Sequence, residues 1–303
     1  MTLSKYKKIF TINENENGFI IAKYRSKEPI VNIPAFIDNK PVIAIADMAF
    51  KGKEIEEVTI PDTVKEIGER AFCECKKLHT IILPKEVKID HVAFYNCASL
   101  ADKAGFVVVN NILFRYMGTD KDVVIPDGVE IIDEGAFENN KTLESIIIPN
   151  SVTLIGNSAF YGCRKLSLVK IMNLDTNIKA SAFYSCPKLI DKKGFMILND
   201  YLYEYSGSDT DVVVPDTVKI IGNRSFPTTN AIKSITIPNG VTTIGDYAFM
   251  YPSKGLESVI IPSSVKTIGH NAFAMCEKVV ITAPKGSYAI EYAKENCIQY
   301  SEI

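Results

Sequence analysis

Apolar residues recur along this chain in a fixed order rather than at a helical spacing. Residues 143–163, LESIIIPNSVTLIGNSAFYGC, show the order. Leu143 is an anchor, Ile146 and Ile148 follow two apart, and Pro149 comes next; Val152, Ile155 and Gly156 then lead to Ala159, Phe160 and Cys163. The Ile-x-Ile alternation predicts a short strand with one face buried. Proline directly after it has no N–H for a sheet ladder, so the strand ends there. Val-x-x-Ile-Gly predicts a second short extended segment and a turn in which glycine takes a positive φ. The Ala-Phe-x-x-Cys piece is long enough for one helical or 3-10 turn that drops Phe into the core.

The same order returns along the chain. An Ala-Phe pair, or Ser-Phe once, ends at Phe50, Phe72, Phe94, Phe137, Phe160, Phe183, Phe226, Phe249 and Phe273, at gaps of 22, 22, 43, 23, 23, 43, 23 and 24 residues. A unit of this length cannot bury its own apolar face, so the pattern predicts stacked units that bury it jointly. The two long gaps are copies of each other, ADKAGFVVVNNILFRYMGTDKDVVIPDGVEII and IDKKGFMILNDYLYEYSGSDTDVVVPDTVKII, and a period of 89 residues links Phe94 to Phe183 and Phe137 to Phe226. Each copy predicts a β-hairpin, near 104–118 and 193–207, with Asn110-Asn111 and Asn199-Asp200 at the tight turns. Residues 1–30 read as an N-terminal cap hairpin, 31–284 as about nine repeats, and 285–303 as a C-terminal helical cap around SYAIEYAKEN. Tyr288, Ile290, Tyr292 and Ala293 lie partly on one side of that helix. The whole chain, 1–303, reads as a single repeat domain.

Composition changes this picture little. The 303 residues are 47% hydrophobic and 23% charged, with 34 basic and 36 acidic residues. No basic stripe offers itself to phosphates, which argues against nucleic acid. No apolar stretch reaches the roughly 18 residues of a membrane-spanning helix, so no membrane insertion is expected. The start of the chain is polar and lacks the apolar core of a secretory signal. Cys75, Cys97, Cys163, Cys186 and Cys276 all stand three residues after a repeat Phe, where Asn140 and Thr229 stand elsewhere, so the slot reads as a small side chain tucked inward. Cys73 and Cys75 make a CxC pair with no second pair near it. His79, His91 and His270 belong to no catalytic or zinc-binding motif, and no phosphate loop or nucleophile elbow is present. Asp120, Asp122, Asp209 and Asp211 match no calcium loop and read as solvated turns. No catalytic residues, cofactor or metal site are expected, and the chain reads as not an enzyme.

The string I-x-I-P-x-x-V-x-x-I-G-x-x-A-F-x-x-C-x-x-L resembles the leucine-rich repeats of BspA-like proteins, which are bacterial and protist surface proteins. The likeness covers roughly residues 30–285 and nine units. It implies a leucine-rich-repeat solenoid, a right-handed β/3-10-helix superhelix with a parallel sheet. It also implies a role in surface adhesion, matrix binding or co-aggregation, at the cell surface or secreted, with the cytoplasm as the alternative.

If the two Ile-type residues of each strand point inward, the residues around them point out. That predicts an exposed strand face holding Thr59, Ile82, Ile147, Leu168, Lys170, Thr236 and Ile260, with Val124 and Val213 in the same row. The hairpins add Phe114, Tyr116, Tyr201, Tyr203 and Tyr205 as candidate contacts, because tyrosine is enriched at recognition surfaces. The expected partner is a protein or glycan. The alternative is a structural or self-assembling module, in which the face makes homo-oligomer contacts.

Overall fold

A computed structural model describes residues 2–84, 86–173, 175–179, 181–227, 232–250 and 255–303. The chain folds as a β-solenoid of parallel sheets. Within the span read as one repeat domain, packing separates two compact units. The first holds Met1–Leu143, Ile148–Cys163 and Met172–Ser185; the second holds Glu144–Ile147, Arg164–Ile171 and Cys186–Ile303.

One coil of the first unit shows how the sequence is used. The strand Glu57–Thr59 buries Val58, and the next residue, Ile60, is also buried. Pro61 then opens a turn that Val64 N–H closes by donating to the Pro61 carbonyl, 3.0 Å away. The two-residue strand Glu66–Ile67 follows. A chain of tight turns brings Ala71, Phe72 and Cys75 inside. The segment expected to be helical or 3-10 is this run of turns; the described 3-10 helices, Ala98–Leu100 and Pro187–Leu189, lie past the Cys slot instead. A helix there would turn the flanking polar residues inward along with Phe.

Each coil therefore adds one strand to each of two parallel sheets. In the first unit, Ile30–Asn32, Glu57–Thr59 and Thr80–Ile82 form one sheet. The hairpin strands Phe10–Glu14 and Phe19–Tyr24, then Lys40–Ile45, Glu66–Ile67 and Lys88–Ile89, form another. A fresh sheet starts at the first inserted hairpin, Phe106–Val109 and Ile112–Tyr116, and continues through Ile131–Ile132, Leu154–Ile155 and Asn177–Ile178. In the second unit the other inserted hairpin, Phe195–Leu198 and Tyr201–Tyr205, starts a sheet through Ile220–Ile221, Thr243–Ile244 and Thr267–Ile268. Beside it run Asp211–Val213, Ser234–Thr236, Ser258–Ile260, Val280–Ala283 and Gln299–Glu302. Three of the four residues placed at the hairpin turns carry the positive φ expected of them, 50° at Asn110, 63° at Asn111 and 59° at Asn199, whereas Asp200 does not.

The cores are aromatic ladders at the coil spacing. Rings of Phe137 and Phe160, and of Phe160 and Phe183, stack at 4.8 Å. Each ladder begins with a hairpin pair: Phe10 and Tyr24 before Phe50, Phe106 and Tyr116 before Phe137, and Phe195 and Tyr205 before Phe226. The N-terminal hairpin is thus the equivalent of the two inserts, and the chain is three modules of one hairpin plus three repeats. Sequence reading missed this because the first hairpin shares a fold position, not a string, with the others.

Two further expectations change. The glycines after the second strand, Gly68, Gly156, Gly222, Gly245 and Gly269, do not have positive φ. A Cβ on Gly156 would sit 2.9 Å from the Glu134 nitrogen, and one on Gly269 2.5 Å from the Asp246 nitrogen, so glycine is there to let neighbouring coils approach. The left-handed residue is the one two before the repeat Phe, as at Val92 (φ 50°) before Phe94 and Tyr247 (φ 54°) before Phe249. At the C-terminus, helix Tyr288–Glu295 buries Ala289, Ile290, Tyr292 and Ala293, whereas Tyr288 is exposed and lies off the face assigned to it. The strand Gln299–Glu302 beyond it was not foreseen, since QYSE carries no apolar alternation.

Candidate functional site

The exposed strand face is set by register. In the first unit Thr59 pairs with Ile82 in parallel, so their side chains leave the same side of the sheet; Thr59 is half-buried and Ile82 is 56% exposed. Val124, on the strand Asp122–Val124, is 61% exposed. In the second unit Val213, Thr236 and Ile260 pair in line; Val213 is 66% exposed and Ile260 41%, with Thr236 half-buried between them. On Leu168–Ile171, Leu168 and Lys170 point out while Val169 and Ile171 point in, and Ile147 is exposed on Ser145–Ile148. Single exposed apolar residues are ordinary, but rows of them in register are not.

The hairpin contacts need correction. Phe114, Tyr116, Tyr203 and Tyr205 are buried, and only Tyr201 is partly exposed. Phe114 packs edge-on against Phe94, 5.2 Å between centroids, and Tyr116 and Tyr205 head the ladders described above. Tyr201 lies over Gly222 and takes the Asn223 N–H on its hydroxyl at 3.3 Å. The strands of a hairpin lying flat on a solenoid turn alternate residues into its core, and here the aromatic ones fill it.

The cysteine slot has a specific geometry. Cys75, Cys97, Cys163 and Cys276 each donate Sγ–H to the carbonyl of the repeat Phe one coil earlier: Phe50 at 3.0 Å, Phe72 at 3.1 Å, Phe137 at 3.1 Å and Phe249 at 3.2 Å. Burial pushes the Cys75 and Cys276 thiols up to about 12. Asn140 in the same slot instead accepts the N–H groups of Thr142 and Leu143; Thr229 lies outside the described residues. Cys297 is exposed, and the other six cysteines are buried.

Among the titratable groups, Asp133 stands out. It occupies the repeat's glycine position and is buried, yet it has two partners: His91 Nδ1 at 2.9 Å and the Val92 N–H at 3.0 Å. Its carboxylate hydrogen bond raises the His91 pKa above the ordinary value. At Val92 the next turn of chain is the hairpin, so no repeat carbonyl is there to take this N–H, and the Asp133 carboxylate does so. The only sequence signal was Ile-Asp where most repeats read Ile-Gly. His79 and His270 are exposed. Asp120 meets the Tyr116 hydroxyl at 3.3 Å, and Asp211 bonds Ser234 and Thr210. Among the described residues no group of three His, Cys, Asp or Glu side chains is placed to hold a metal ion. No described helix is long and apolar enough to cross a membrane.

The model of the BspA type leucine-rich repeat region matches six copies, over residues 32–104, 107–193 and 196–303. The chain belongs to this family. The matched spans break at the two inserted hairpins, as the modules do. The chain is also similar to the solved leucine-rich repeat protein of T. pallidum, at 21% identity over 97% of this chain and 96% of that one, TM-score 0.35. A leucine-rich cell surface protein of Faecalibacterium prausnitzii A2-165 is 23% identical over 96% of each chain, TM-score 0.42. A leucine-rich repeat protein of Bacteroides ovatus ATCC 8483 is 26% identical over 90% of this chain and 83% of that one, TM-score 0.45. No curated protein matches the chain.

Proposed function

We propose that this BspA type repeat protein is a non-catalytic scaffold that binds a protein or glycan partner through its exposed strand face. The observation that carries the reading is the parallel register of Val213, Thr236 and Ile260, which puts two exposed apolar side chains in line on either side of half-buried Thr236. Rigid sheets hold such a row without an ordering cost on binding, and apolar residues ringed by polar ones mark interaction sites. Ser234, Ser258 and Asp211 supply that polar border. A place at the cell surface or outside the cell follows from the family reading and is part of the same proposal.

The test is capture from a matrix and cell-surface extract by the native chain and by a combined Ile82→Asp, Ile147→Asp and Ile260→Asp variant. Partners held by the native chain and released by a folded variant support the reading. Equal capture by both overturns it. A native mass that rises with concentration, and does not rise for the variant, assigns the face to self-association instead.

A further inference from the structure

Two segments of the second unit bring basic side chains to one surface. Residues 164–171 carry Arg164, Lys165 and Lys170 with no acid, and residues 186–193 carry Lys188, Lys192 and Lys193 with Asp191 as the one acid. All six cations are exposed. Lys165 and Lys188 hold the same place in consecutive repeats, two residues after Cys163 and Cys186. Gly162 N–H donates to the Tyr184 carbonyl at 3.0 Å, so the two coils are already stacked just ahead of these cations. Asp191 N–H then donates to the Phe195 carbonyl at 2.9 Å and closes the turn that carries Lys192 and Lys193. The strand Phe195–Leu198 leaves that turn and lies against Leu168–Ile171, the strand that presents Lys170.

Local acids do little to offset this charge. Asp191 turns its Oδ1 to the N–H groups of Lys193 and Phe195, at 2.8 Å and 2.9 Å. Glu144 reaches the margin, where its carbonyl accepts the Ser167 N–H at 2.9 Å. Among the described residues, none of the six cations makes an ion pair. The matching surface of the first unit differs. Lys76, Lys77 and Lys103 stand there at the places of Arg164, Lys165 and Lys192, but Ile82, Ser99 and Ala104 replace the other three. Lys77 is also paired with Glu54 at 3.0 Å. The whole chain is nearly neutral, with 34 basic and 36 acidic residues, so the excess belongs to this surface and not to the background.

We propose that this surface binds a sulfated polysaccharide. Clustered cations draw a polyanion and release its counterions, a source of affinity that needs no pocket. Arg164 adds a planar fork that pairs with a tetrahedral oxyanion. These two segments hold no aromatic side chain on which a nucleic-acid base could stack, and Pro187–Leu189 is a single 3-10 turn, too short to enter a groove. Leu168 is their one exposed large apolar side chain, too little for a protein hot spot or a membrane anchor. The site extends the binding-scaffold reading to a second surface, separate from Val213, Thr236 and Ile260.

The probe is immobilised heparin, measured by surface plasmon resonance against the full chain at low and at physiological salt. Binding should be saturable and should weaken steeply as salt rises. Combined Arg164→Gln, Lys165→Gln and Lys188→Gln should lower the affinity by about tenfold or more. Combined Lys76→Gln, Lys77→Gln and Lys103→Gln removes as much charge and should change the affinity by less than about twofold. All six substituted residues are exposed, so both variants should fold, as circular dichroism will check. Ile260→Asp should bind heparin as the native chain does, which keeps this result apart from that of the strand face. No binding by the native chain, or equal losses in the two lysine-poor variants, overturns the proposal. Tighter binding to double-stranded DNA, to polyglutamate or to phosphatidylserine vesicles than to heparin overturns it as well, since the partner is then of another class.

Discussion

Single residues in this fold do work that their chemical type alone does not announce. Cys75, Cys97, Cys163 and Cys276 are hydrogen-bond donors between coils. Cys163→Ala removes both the Sγ–H bond to Phe137 and the sulfur's volume, and should lower the unfolding free energy by about 1–3 kcal/mol in urea titration. Cys163→Ser keeps a donor and should recover part of that loss. With Cys75 and Cys276 held at about 12 by burial, neither supplies thiolate at pH 8. Alkylation of the folded chain at that pH should label Cys297 first, as peptide mass spectrometry will show. Val92 is a β-branched residue at φ 50°, a costly conformation that glycine adopts freely. Val92→Gly should therefore stabilise the chain, by up to about 1 kcal/mol, and Gly156→Ala should destabilise it through the Glu134 contact.

At the scale of elements, the ladders carry the stability. Phe160 is stacked on both sides, so Phe160→Ala should cost about 3–5 kcal/mol, whereas Phe160→Leu should cost less because it leaves a smaller cavity. Where the first hairpin interrupts the backbone ladder, side chains take over: Asp133 receives Val92 N–H and His91, and Arg115 lies over Tyr95 at 5.2 Å. His91 has a raised pKa in the folded chain, so protonated His91 contributes stability. That contribution is full below the unfolded value near 6.5 and is lost as the pH rises through the folded value. The His91 side chain is largely exposed, so solvent screening keeps the effect small. Thermal melts of the native chain should show a shallow fall in midpoint from pH 6 to pH 8 that His91→Gln lacks.

For the whole molecule, the outward residues of the repeat strands were readable from alternation alone, because a strand turns every second residue out. Ile82, Leu168 and Ile260 stand where that rule puts them. Since they carry no core packing, the combined stripe variant should melt within a few degrees of the native chain, on the order of 0.5 kcal/mol per site. The hairpin aromatics were not readable in this way. Alternation in YLYEY allows either face, and only docking against Phe226 and Gly222 shows that Tyr205 and Tyr201 pack onto the repeats.

The sequence by itself determined the repeat, its strand and turn positions, the buried Phe and Cys slots and the family, because each is a local pattern copied many times and summed over copies. The tertiary structure alone decided which glycines serve close approach rather than positive φ, and that the N-terminal hairpin begins a module like the other two. It also decided that Asp133 substitutes for a missing carbonyl and that Arg164, Lys165 and Lys188 share one surface. Those facts depend on what one coil places against the next, at separations of 20 to 40 residues that no local pattern encodes.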